Sequence, residues 1–107
     1  MPQAKGASMQ LLNDLMGDGS RNFILLPVGK TPSLHMLLRV LSLWGAVPTA
    51  YIPTFAESWI DFRYQGHQFS INDQYGDYWF FVRDPQCPDV ILEKVVRHFA
   101  KLLDVTL

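Results

Sequence analysis

Between Ser58 and Asp84 apolar and polar residues alternate with a period of two, the pattern of strands that bury one face. In WIDFRY the residues Ile60, Phe62 and Tyr64 take one face, and Trp59, Asp61 and Arg63 the other. Gln65-Gly66 supplies a two-residue hairpin loop, because glycine accepts the positive φ of a primed turn. Counting outward pairs Tyr64 with His67, Arg63 with Gln68, Phe62 with Phe69, Asp61 with Ser70, Ile60 with Ile71 and Trp59 with Asn72. Apolar meets apolar throughout, and a slip of one residue would move every apolar side chain to the wrong face. The second turn has two solutions. A two-residue loop at Tyr75-Gly76 puts Phe80 and Val82 inside with Phe69 and Ile71, whereas a three-residue loop at Gln74-Tyr75-Gly76 turns Trp79 and Phe81 inward.

The flanking segments follow a different period. Ser8 caps an expected helix SMQLLNDLM, stopped by Gly17, with residues 1–7 expected to fray. The run Phe23–Val28 reads as a strand buried on both faces, its end loosened by Pro27. Thr31-Pro32 opens a central helix over 32–44, closed by Gly45. In it His35, Arg39 and Ser42 form one narrow polar stripe, and every other residue from Leu34 to Trp44 is apolar. That apolar arc is wider than a single sheet covers, so a second cover is expected, from another helix or another subunit. Pro48 and Pro53 confine the next segment to a short edge strand near Thr49–Ile52 or an extended segment. A C-terminal helix over 88–103 shows an ordinary amphipathic stripe: Leu92, Val95, Val96, Phe99, Leu102 and Leu103 against Glu93, Lys94, Arg97 and Lys101.

The expected fold is a single α+β domain over 1–107, a two-layer sandwich. A three-stranded antiparallel meander (about 58–84) is extended by one or two further strands and packed by the helices 32–44 and 88–103. Strand 23–28, the central helix and strand 49–52 are expected to form a crossover beside the meander. The composition fits one core: 107 residues, 49% hydrophobic and only 18% charged, below the usual value of about 25%. A net charge of −1 provides no basic field for nucleic acid or an anionic membrane. A single cysteine excludes an internal disulfide, and no apolar run approaches the ~20 residues of a membrane span, so a cytoplasmic location is expected.

Candidate chemistry is sparse. Gly29-Lys30-Thr31 copies the tail of a phosphate-binding loop, but Ile24 stands where the first glycine is required, which leaves a turn and a helix cap. His35, His67 and His98 lie on separate elements without metal-ligand spacing, and Asn72, Asp73 and Asp77 around Gly76 read as turn hydrogen bonding rather than a calcium loop. Neither a metal nor a cofactor is expected. Cys87 sits at a helix start that can lower a thiol pKa, yet no histidine is near it in sequence. The surplus of aromatic side chains on the meander points instead to a non-catalytic protein-binding or assembly module. Its expected binding surface is Trp59, Trp79, Phe81, Arg63 and Tyr75, or the over-apolar central helix, with a protein partner or a second copy as occupant. The alternative is a small-molecule site or hydrolytic enzyme built on His67, Asp84 and Tyr64.

Overall fold

A computed structural model of the chain describes residues 10–54, 57–73 and 76–105. Eight elements follow in order: β1 (Asp14–Leu15), β2 (Arg21–Pro27), α1 (Ser33–Leu41), β3 (Val47–Pro53), β4 (Ser58–Tyr64), β5 (His67–Asn72), β6 (Asp77–Val82) and α2 (Asp89–Leu102). The strands form one antiparallel sheet in the order β1-β2-β6-β5-β4-β3, with both helices on one face.

All six pairs expected for the first hairpin are present, from Tyr64–His67 to Trp59–Asn72. The turn that fixes them puts Gln65 at φ 54° and Gly66 at φ 78°, both in the left-handed region a primed turn requires. The second pairing aligns Asn72 with Trp79, Ile71 with Phe80 and Phe69 with Val82, the register of the shorter loop. Ile60, Phe62, Phe69, Ile71, Phe80 and Val82 therefore share the helix side and are all buried. Phe69 is the hub of an aromatic cluster, with ring centroids 5.2 Å from Phe62, 5.8 Å from Phe23 and 6.4 Å from Tyr64. Phe99 of α2 closes the cluster against Phe80 at 5.1 Å and Phe62 at 6.1 Å.

Several expectations are overturned. The N-terminal helix is absent from the described part of its span: residues 10–13 are irregular, and Asp14 and Leu15 pair with Asn22 and Arg21. A nine-residue helix has little stability of its own, whereas β2 offers an open edge of backbone groups, used also by the Leu12 amide on the Phe23 carbonyl at 2.9 Å. The fraying expected of 1–7 lies outside the described residues. β2 is not buried on both faces, since Phe23 and Leu26 are buried but Leu25 is exposed. A bulge between Asn22 and Ile24 brings Phe23 onto the core, and buried Asn22 donates from Nδ2 to the Phe80 carbonyl (2.9 Å) and the Ile24 carbonyl (3.3 Å). β2, α1 and β3 do form a crossover between parallel strands, but it spans the meander instead of lying beside it. The two strands flank the meander on opposite sides, and α1 crosses between them.

The central helix leaves part of its wide apolar arc uncovered. Met36, Val40 and Leu43 are buried, while Leu34, Leu38, Leu41 and Trp44 are 52%, 53%, 57% and 93% exposed, so within the chain one side only is covered. The polar stripe does not face water alone. Arg39 Nε donates to the His98 carbonyl of α2 at 2.9 Å, and His98 Nε2 lies 2.9 Å from both the Arg39 carbonyl and Ser42 Oγ. Two polar surfaces meet here because each satisfies the other's groups. Thr31 does not cap α1; the residue before the helix is Pro32, with no side-chain cap bond.

Burial lowers the His98 pKa below its ordinary 6.5, with the Arg39 and Lys101 charges adding to the effect and the hydrogen bond to Arg39 opposing it. The neutral ring is thus the form that fits the fold. Its contribution to stability is fully present above the unfolded-state value and is lost as pH falls through that value toward the folded one. Chemical denaturation from pH 7.5 to 5.5 is expected to show a steeper fall in stability for the wild type than for His98→Gln. Parallel profiles would show that the ring titrates alike in both states.

Candidate functional site

On the helix-free face the same alternation places β4, β5 and β6 side chains in rows. One row runs Trp59, Asn72, Trp79 and the next Asp61, Ser70, Phe81, with Arg63 and Gln68 paired beyond them. β5 contributes the short or polar residues Ser70, Asn72 and Gln68, and its neighbours contribute large rings, so the face is a trough with a polar floor and aromatic walls. Trp59 and Trp79 are two strands apart, about 10 Å at ordinary strand spacing. The trough forms a cavity of about 660 Å³, within the range of ligand sites.

The β1–β2 turn closes one side with Met16, Gly17, Asp18 and Ser20. It is closed by hydrogen bonds: the Met16 amide donates to the Ser20 carbonyl at 2.8 Å, and Asp18 Oδ1 accepts from the Ser20 hydroxyl (2.7 Å) and amide (3.0 Å). Those bonds hold the Asp18 carboxyl below its usual range, with a smaller contribution from the Arg83 charge. Gly19 takes φ 89°, a conformation that permits this tight return.

Asp61 organises the centre. Its Oδ1 accepts from Trp59 Nε1 at 2.8 Å and from Ser70 Oγ at 2.7 Å, which fixes the indole along its own strand and ties β4 to β5. Across the trough Trp79 and Phe81 stack on each other, with centroids 6.3 Å apart and planes 27° apart. Of the expected binding residues, Trp59, Trp79 and Phe81 meet at the cavity, and Arg63 stands exposed on the same face outside it. Tyr75 lies outside the described residues. Alternation from Trp59 already implied Asp61, and from the hairpin register Ser70 and Asn72. The Met16–Ser20 turn had no such signal, because its place depends on β1 pairing with β2.

The alternative trio is not assembled. Tyr64 is buried in the aromatic cluster, and Asp84 is exposed, with Oδ1 accepting from the Gln86 amide at 2.9 Å. No side-chain hydrogen bond or ion pair among the described residues joins either to His67, and none of the three lines the cavity. Asp73 does more than serve its own turn: its Oδ1 accepts from the Ser58 amide at 2.6 Å and anchors the start of β4. Cys87 is buried, and burial pushes its thiol up to about 11, the opposite of activation by a helix start. Among the described residues no three His, Cys, Asp or Glu side chains gather as metal ligands would, and no helix is long and apolar enough to cross a membrane. No protein-family model matches the chain, and no curated protein or solved structure gives a significant match.

Proposed function

We propose that this protein is a non-catalytic binding module that docks a protein partner on the helix-free face of its sheet. The observation that carries this reading is the trough itself: three large rings from β4 and β6 held half-buried around a polar floor, on the face the helices leave open. Rings in that state retain area to bury against a partner, and aromatic side chains are over-represented among residues that dominate binding energy. Among the described residues that line the trough there is no histidine, cysteine or lysine, and its serine hydroxyls, Ser20 and Ser70, are spent as donors to the Asp18 and Asp61 carboxylates. A free, buried Cys87 is compatible with a reducing compartment, and the cytoplasm is the location this reading proposes.

The test compares wild-type protein with Trp59→Ala/Phe81→Ala as bait, with circular dichroism confirming that both fold. Partners retained by the wild type and lost by the variant are the expected result. Equal retention would place recognition elsewhere.

A second reading rests on α1. Leu34, Leu38 and Leu41 expose a seam spaced by four and three residues, the spacing of helices that pair face to face, and Trp44 stands exposed in the turn just beyond the helix. In this reading a second copy supplies the cover that the chain itself lacks, which makes the protein a homodimer.

A further inference from the structure

The trough contains a carboxylate without a cation. Among the described residues the ion pair that forms is Arg21 with Asp89, 3.6 Å apart and away from the trough. Asp61 is half-buried and spends Oδ1 on Trp59 and Ser70, and no donor among the described residues reaches Oδ2. Two guanidinium groups lie near, and neither answers it. Arg83 at the rim acts on Asp18, whose carboxyl it helps to hold below the usual range, while Arg63 points from the same strand into solvent. A carboxylate offers about four acceptor sites, so Asp61, half in water and bonded through Oδ1, keeps Oδ2 for a donor that a ligand brings.

The group beside the free oxygen is an indole, locked in place because its own N–H is bonded to the same carboxylate. Ring face and carboxylate oxygen are therefore presented together. A guanidinium satisfies both at once, since it is planar, weakly hydrated, stacks on aromatic faces and donates charge-assisted bonds to carboxylates. An ammonium meets the carboxylate but holds its water more tightly and lacks the flat face. We infer that the trough grips an arginine side chain of the partner protein, its guanidinium lying over Trp59 and donating to Asp61 Oδ2. This rests on the proposed function and names the residue that the module reads.

Two capped pentapeptides, Ac-GGRGG-NH2 and the same peptide with citrulline in place of arginine, separate charge from shape. Tryptophan fluorescence and amide chemical shifts of Trp59, Asp61 and Ser70 report occupancy, with choline as a free organic cation for comparison. The expected result is binding of the arginine peptide at least tenfold tighter than that of the citrulline peptide, weakened by added salt. Asp61→Asn, which keeps an oxygen for Trp59 and Ser70, is expected to remove that preference. Equal binding of both peptides at the trough, or tighter binding of choline, would overturn the arginine assignment and leave the trough as a docking site. No shift at the trough with either peptide, together with partner capture that survives Trp59→Ala/Phe81→Ala, would overturn both. The citrulline comparison uses wild-type protein, so the outcome stands even if Asp61→Asn does not fold.

Discussion

Replacing Phe69 by alanine is expected to remove about 3–5 kcal/mol of folding free energy, the usual cost of a fully buried phenyl ring. Phe69 sits at the centre of the sheet with 1% of its surface exposed, and its ring meets Phe23, Phe62 and Tyr64. Truncation loses the transfer energy of the ring and leaves a void that three rigid aromatic neighbours cannot close. Each aromatic pair adds about 0.5–1.5 kcal/mol beyond area burial. Since a domain of this kind is stable by about 5–15 kcal/mol, the loss is a large share of the whole. Urea denaturation measures it as a fall in midpoint at unchanged slope. Phe81→Ala is the matched control: that ring is half-buried on the opposite face, its one ring contact among the described residues being Trp79, and a smaller loss is expected. Equal losses would mean that the trough is core.

Met36→Ala is expected to cost about 2–5 kcal/mol, whereas Leu38→Ala, two residues on, is expected to change the stability of the isolated chain by no more than about 0.5 kcal/mol. The helix period puts them on different sides: Met36 is wholly buried and Leu38 is 53% exposed. Where two copies pair through α1, Leu38 is covered by the partner copy and its loss is felt in association. Sedimentation of the wild type as a dimer, and of Leu38→Asp as a folded monomer at the same concentration, is the expected pair of results. Monodisperse monomer for the wild type at high concentration would overturn the dimer.

How far the chain can be read without coordinates varies from element to element. α2 was legible because its apolar residues, Leu92, Val95, Val96 and Phe99, occupy one stripe and its charges the rest, which leaves one way to pack it. α1 was not, because apolar residues surround a thin polar stripe and periodicity does not say which of them meets the sheet. The junction of Arg39 and Ser42 with His98 decided it, a contact between residues 59 and 56 positions apart. β1 spans two residues, and a strand so short exists only by virtue of the edge it pairs with.

The meander divides along the same line. By itself the sequence determined the β4–β5 register, because a glycine turn and an unbroken alternation are local properties that admit one alignment. It also put Trp59 and Asp61 on a common face. Only the tertiary structure chose the second register, since both loops keep alternation intact and differ in which pair, Phe80 with Val82 or Trp79 with Phe81, meets the helices. It alone brought the Met16–Ser20 turn over the opposite face and so made a cavity from a row of rings. The physical reason is common to both. Alternation defines two faces of a strand, but which face becomes core is set by what the rest of the chain packs against it.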